Sequence, residues 1–431
     1  MTTAPVDKPG TAKVLLMASN WWPLSARLAI ALRRHGCSVA ALCPPGHPLR
    51  YVTNLSEIFP YRRVGSLASL LSAIRRSEPD AVVPCDDRCV AQLYELHRLQ
   101  PNLRELIERS LGRASGFTVA ASRGQLLELA GSLGIRVPQT LAIASAQHAA
   151  ECFAGFAPAA ALKVDGTYGG EGVRIVHSPG EAATAYARLS GGPCSRLGTV
   201  LKRMVVNREP LALWSWSQQA RPAMTLQRFV PGTPANIMAA CWEGRILAEV
   251  SVTAVSCQGA TGAANVVRVI QHPQMSRAAT LLAARLGLSG FFGLDFMLER
   301  ATGTAWLIEL NPRCTQLGHL PLTSRGDLAG AWVDALTGHR TGTATPFPGA
   351  QTIAFFPQAQ RWGATNEFLR SVHHDVPWEE KRLLEELLLE PWPERQWSSR
   401  LYHRFRRPQT AGVAEFTVAQ ERRRESAVAP D

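Results

Sequence analysis

Asp295, Glu309 and Asn311 stand in two short runs, "GLDFML" and "AWLIEL" with its following "NPR", whose branched and aromatic neighbours predict buried strands. The "ATG" between them is a turn signal, with Gly303 suited to a left-handed position, so residues 291–314 read as a β-hairpin. A three-residue loop over 301–303 sets Asp295 opposite Glu309 and Phe296 opposite Ile308. Directly opposed side chains have Cβ atoms about 4.5–5.5 Å apart, where two carboxylates repel unless a cation lies between them. Strand alternation brings Asn311 to the same face, adding a neutral oxygen to two anionic ones. Such a donor set suits Mg2+ or Mn2+ holding nucleotide phosphates. A solvent-facing polar pair at a hairpin end is the other reading of these residues.

A second group of chemistry-bearing residues lies upstream. In "AAALKVDGTYGGEGVRIVHS", residues 159–178, two strands flank a loop holding Gly166, Gly169, Gly170 and Gly172. Backbone N–H groups of such a loop can close over phosphate oxygens, and Lys163 at the end of the incoming strand offers a point charge to the same group. The spacing is not GxxxxGK[ST], so this is no P-loop, and a flexible hairpin with a surface lysine would look alike.

The elements that must position these residues follow from the apolar pattern. From residue 13, "KVLLMA", "CSVAALCP" and "AVVPC" read as buried strands, with helices in "PLSARLAIALRRHG" and "LASLLSAIRRSEPD" between them, which predicts an open, mainly parallel α/β domain. The loop after its first strand, "SNWWP", lacks a glycine fingerprint, which argues against NAD. Asp86 and Asp87 follow a strand's carboxyl end, either as ligand-binding residues or as a helix cap. Around residue 122 a new helix begins, with Ser122 as N-cap, Gln125 at the capping-box position and Gly134 as the stop. "TIAFFP" predicts a later strand, "HHDVPWEEKRLLEELLLEPWPE" an amphipathic helix, and His373, His374 and Asp375 read as surface or capping residues.

Composition restricts the setting. With 431 residues the prior is two to four domains, and 46% hydrophobic against 19% charged residues is the balance of a globular chain. Nine irregularly spaced cysteines argue for reduced thiols and a cytoplasmic protein, and "CDDRC" has the wrong spacing for a redox pair or half a zinc site. The polar start argues against a signal peptide, and no apolar run reaches the ~20 residues of a membrane span. The net charge of +12 permits acidic partners, which nucleotide phosphates satisfy. Basic "RLYHRFRRPQ" and "ERRRES" come without a nucleic-acid motif and read as a solvated tail.

The order of the pieces, a lysine strand with its glycine loop, then "TLQRFVPG", then the "LDF…IELNPR" hairpin, resembles the ATP-grasp superfamily over roughly residues 115–335. The resemblance implies an α/β and α+β architecture: an N-terminal open parallel pre-ATP-grasp domain (13–114), a two-lobed ATP-grasp domain (115–232 and 233–340), a C-terminal extension (341–407) and a basic, disordered tail (408–431). It further implies that Lys163 and the loop Gly166 to Gly172 grip phosphates, and that Gln227, Arg228, Phe229 and Val230 hold adenine through their backbone. Asp295, Glu309 and Asn311 would carry Mg2+ (or Mn2+), and Arg313 would stabilise the transferring phosphoryl group. Arg123 stands where a lysine is usual, and Gln227 where a glutamate is usual. The acidic ribose ligand falls on Pro234 or Ala235, with Asn236 as substitute, and Arg268 is either a further phosphate or carboxylate contact or a surface arginine.

The implied activity is an ATP-dependent carboxylate-amine (or thiol) ligase. Its partners would be small-molecule carboxylates and amines, without nucleic acid or membrane and with room for a homodimer. A small-molecule kinase, a carboxylase-type enzyme and a non-catalytic ATP-binding module are the alternatives.

Overall fold

Leucine-rich β1 (Lys13–Met17) is covered on both faces because its side chains alternate between two cores: Leu16 packs with Leu24 and Leu28 of helix Leu24–Arg34, whereas Leu15 and Met17 pack with Leu70 and Leu93 of helices Ser66–Ser77 and Asp87–Leu99. It is joined in parallel by β2 (Ser38–Cys43), β3 (Ile58–Pro60) and β4 (Ala81–Pro84), in the order β3-β2-β1-β4. The strand order reverses between β1 and β4, the kind of switch point at whose carboxyl ends open α/β sheets bind ligands. The computed structural model describes residues 11–164, 172–190, 224–258, 262–320, 327–338, 352–361 and 372–396. Gly166, Gly169, Gly170 and the tail 408–431 lie outside the described residues.

A second, antiparallel sheet has the order β5-β8-β6-β7, from β5 (Thr140–Ile143), β6 (Ala160–Val164), β7 (Val173–Val176) and β8 (Met224–Arg228). The third sheet holds β9 (Gly232–Trp242), β10 (Arg245–Cys257), β11 (Ala264–Ile270), β12 (Gly290–Glu299), β13 (Ala305–Asn311), β14 (Thr352–Phe355) and β15 (His373–Asp375). Its order is β13-β12-β9-β10-β11-β14-β15. Alternation again splits it between two cores. Ile237, Ala239 and Leu294 pack on helices Arg123–Ser132 and Pro273–Leu286, and Met238, Ala240 and Phe291 face Trp332 and the N-terminal domain.

The β12–β13 hairpin forms as expected, with Gly303 at φ +70°. Its tip is longer than the three residues read from the sequence, because the Glu299 N–H donates to the Thr304 carbonyl and the Gly303 N–H to the Glu299 carbonyl. Phe296 therefore faces Leu307 instead of Ile308. A bulge at Ile308 then restores the register, so Asp295 faces Glu309 after all.

The segment after 340 is no appendage. Strands β14 and β15 extend the large sheet; of the residues read from the sequence as surface or capping groups, His374 is buried there and Asp375 half-buried. Asp375 Oδ2 lies 2.9 Å from His319 Nε2, and the Arg27 guanidinium donates to the Asp375 carbonyl at 2.5 Å. Burial alone would raise the Asp375 carboxyl, but Arg27 and His319 outweigh it and hold it well below the usual carboxylate range. Glu380 adds contacts to Arg33 (3.1 Å) and to the Thr53 N–H (2.9 Å), so the segment straps the N-terminal domain to the large sheet.

Asp375→Ala keeps the backbone carbonyl that Arg27 bonds but removes the carboxylate 4.0 Å from that buried guanidinium and the partner of His319, and it should cost about 3–5 kcal/mol in chemical denaturation at neutral pH. A depressed carboxyl stabilises fully above its unfolded pKa, about 3.9, and loses that contribution as pH falls through the folded value. The gap between wild type and variant should therefore close in acid. A pH-independent gap would show that packing, not charge, sets the loss.

Candidate active site

Asn236 on β9, Asp295 on β12 and Glu309 on β13 occupy one row across three adjacent strands. Asp295 is held from both sides: Asn236 Nδ2 donates to its Oδ1 at 2.5 Å and Asn311 Nδ2 to its Oδ2 at 2.9 Å. Asn236, read from the sequence as the substitute ribose ligand, is thus committed to the acidic row, because register makes it the cross-strand neighbour of Asp295. Its own Oδ1 is buried with no hydrogen-bond partner among the described residues. An orphaned buried acceptor costs about 1–3 kcal/mol, a cost that a cation or donor at the row would relieve.

Burial raises the Glu309 carboxyl above its ordinary value; Arg123 opposes this, Asp295 adds to it and Lys163 opposes it. The side chain keeps 39% of its surface open. Arg123 Nη2 lies 3.1 Å from Glu309 Oε1. It is delivered by the first residue of a helix whose N-cap, Ser122, accepts from the Gln125 N–H at 3.4 Å.

From β6 of the second sheet comes Lys163, 7% exposed, whose Nζ donates to Gln227 Oε1 at 2.6 Å. Gln227 Nε2 in turn donates to Thr140 Oγ1 at 3.0 Å. Gln227 is therefore the holder of Lys163, and a neutral amide aims the ammonium without cancelling its charge. In the linker, the Arg228 and Phe229 N–H groups are taken by the Gln139 and Ala159 carbonyls, whereas the Val230 N–H meets no acceptor among the described residues. The Arg228 guanidinium bonds Gln139 and Gly155, and Phe229 is 36% exposed. Gly172 is buried, and its carbonyl accepts from the Val164 N–H at the base of the glycine loop.

Arg313 grips Asp87 with two nitrogens, Nε to Oδ1 at 2.7 Å and Nη2 to Oδ2 at 3.1 Å, and Nη2 also donates to Asn311 Oδ1 at 3.1 Å. The two readings of Asp86 and Asp87 thus divide between them. Asp86 is the cap, accepting from the Cys89 N–H at 3.0 Å and from the Ser19 and Asn20 N–H groups, while Asp87 points to the acidic row. Two consecutive carboxylates at a strand end were the only sequence signal for this contact.

Arg268 is not brought to the row. It is exposed on β11, and register aligns it with Thr253, Ala235 and Phe296, on the opposite face of the sheet from Asp295. Among the described residues no group of three or more His, Cys, Asp or Glu gathers as a metal cluster. Two carboxylates with amide oxygens form a sparser, hard donor set, which fits an Mg2+-like ion that keeps positions for water and phosphate.

No family model and no curated protein matches the sequence. Solved structures do match. N5-carboxyaminoimidazole ribonucleotide synthetase in an ADP complex superposes with a TM-score of 0.55 at 14% identity, over 78% of this chain and 80% of that one. Biotin carboxylase from Campylobacter jejuni gives 0.51 at 14% identity, over 78% and 72%. L-amino acid ligase from Bacillus licheniformis gives 0.50 at 11% identity, over 76% and 75%. The chain has the ATP-grasp fold. The parallel sheet comes first in the chain, followed by the sheet β5-β8-β6-β7 with Lys163 and the sheet carrying Asp295. No helix among the described residues is long and apolar enough to cross a membrane.

Proposed function

We propose that the chain is an ATP-dependent carboxylate-amine (or carboxylate-thiol) ligase, forming an amide or peptide-like bond through an acyl phosphate with release of ADP and phosphate. The observation that carries this reading is the row Asn236–Asp295–Glu309, met by Arg123 at 3.1 Å and within the field of Lys163 from the other lobe. Opposed carboxylates under two converging cations are what phosphoryl transfer requires, since its transition state needs positioning and charge neutralisation more than covalent help.

A carboxylate is a poor electrophile. Its oxygen attacks the γ-phosphorus, the bond to the bridging oxygen breaks, and ADP departs with that electron pair. The amine then attacks the acyl carbon, phosphate leaves, and the nitrogen loses a proton. Asp295, Glu309 and Asn311 would hold Mg2+ (or Mn2+), which when bound neutralises charge on the phosphates. Lys163 and Arg123 bind phosphate oxygens, and the Val230 N–H is the linker group left to meet a base. Arg313 faces the transferring group. No side-chain nucleophile is required, and the nearby thiols suit that role poorly: burial pushes Cys314 up to about 12 and Cys85 well above its ordinary value. The substrates would be small carboxylates and amines. Eight free thiols among the described residues fit a reducing cytoplasm.

The test is turnover of Mg·ATP with mixtures of carboxylates and amines, which should give acceptor-dependent ADP and phosphate, with hydroxylamine trapping a hydroxamate. AMP and pyrophosphate as products would reject an acyl phosphate in favour of adenylation. In the same assay series, Lys163→Ala should weaken Mg·ADP binding by roughly 1.5–3 kcal/mol, the contribution of a charge-assisted phosphate contact, read by titration calorimetry. Unchanged affinity would remove Lys163 from the phosphate site.

A further inference from the structure

The contact between Asp87 and Arg313 has a geometry that pairing alone does not demand. Asp87 takes Nε and Nη2 of the guanidinium, and Nη2 is shared with Asn311 Oδ1, leaving Nη1, which meets no acceptor among the described residues. A planar fork held along one edge can turn only about that edge, so its remaining nitrogen has a fixed direction. The same donation sets the Asn311 amide, whose Nδ2 then faces Asp295 Oδ2 at 2.9 Å. One chain of hydrogen bonds runs from Asp87 through Arg313, Asn311 and Asp295 to Asn236, that is, from the N-terminal domain into the middle of the large sheet.

The carrier of Asp87 is firmly seated. Helix Asp87–Leu99 starts on the Asp86 cap, itself bonded to Ser19 and Asn20. The same domain meets the large-sheet unit at Gly112 (φ +102°), which bridges to Leu288; a Cβ there would lie 2.2 Å from the Gly287 carbonyl oxygen.

We propose that Asp87 is a positioning residue: the N-terminal domain aims Arg313 at the γ-phosphoryl site and orients Asn311, so the site is complete only with that domain docked. This rests on the ligase reading of the Arg313 site. It has a distinctive sign. Deleting a carboxylate beside a phosphate site should, on charge alone, tighten anion binding; deleting an aiming residue should loosen it.

The experiment is a double-mutant cycle of Asp87→Ala and Arg313→Ala in the full chain, read as calorimetric Kd for Mg·ADP and for the Mg complex of a non-hydrolysable ATP analogue, with thermal melts as fold control. Asp87→Ala should weaken analogue binding at least about fivefold, leave Mg·ADP within about twofold, and have no further effect on Arg313→Ala. Asp87→Asn, which keeps shape and one acceptor, should fall between wild type and Asp87→Ala and serves if the alanine variant fails to fold. Tighter analogue binding, equal weakening of Mg·ADP, or the same loss with and without Arg313 would overturn the proposal. If the nucleotides bind but no acceptor ever releases ADP, the ligase reading falls on that result, while the cycle still decides whether Asp87 aims Arg313.

Discussion

Glu309→Gln should abolish phosphoryl transfer and leave the nucleotide-free protein at least as stable as wild type. A carboxyl raised in the folded state binds its proton more tightly there than when unfolded. Stability is therefore greatest below the ordinary carboxylate range and falls as pH rises through the folded value, after which the ionised side chain is a standing cost. Glutamine removes the charge and keeps an oxygen for Arg123, which lies 3.1 Å from Oε1. At neutral pH the variant should melt at or above wild type, and below about pH 4 the two should converge. Wild type at 100 times the Kd of Mg·ATP gains about 2.7 kcal/mol, and the variant should lose most of that gain along with turnover. A strongly destabilised Glu309→Gln that still turns over ATP would mean that the row is a structural network.

Asp295→Asn should be equally inactive but, unlike Glu309→Gln, less stable than wild type. The difference lies in what each carboxylate touches. Asp295 accepts from two amide nitrogens, at 2.5 and 2.9 Å, so an asparagine there must set its own N–H2 against one of them. Turning Asn236 would offer its orphaned Oδ1 instead, at the loss of the Nδ2 bond to the Leu294 carbonyl at 3.2 Å. Hydrogen bonds to a charged group contribute roughly 1.5–3 kcal/mol each, and a melting deficit of that order without nucleotide is expected. Turnover should fall by a factor on the order of 100–1,000 or more, as on removing one stabiliser of transition-state charge. Equal melting temperatures for the two variants would show that the amides do not grip Asp295 in solution.

The sequence alone was enough for the elements whose signals are local. The apolar runs in "KVLLM" and "SVAALC", the cap at Ser122 and the turn at Gly303 each act within a few residues, and each formed where it was read. Asp295 opposite Glu309 was also legible, though the longer tip and the Ile308 bulge are two offsets that cancel. Short β3 carries too little pattern to have been read.

What tertiary structure decided was every contact between residues far apart in the chain. Asn236 joined the acidic row because β9 is the central neighbour of β12, and strand order is not written in either strand's pattern. Arg268, two strands from β9, fell on the opposite face by register parity. Asp87 found Arg313 across 226 residues, and His374 was buried because β14 and β15 extend the far side of the large sheet. Side-chain type and short spacing determine what a residue is able to do. Sheet order and domain docking, which depend on burial summed over the whole chain, determine which residue it does it with.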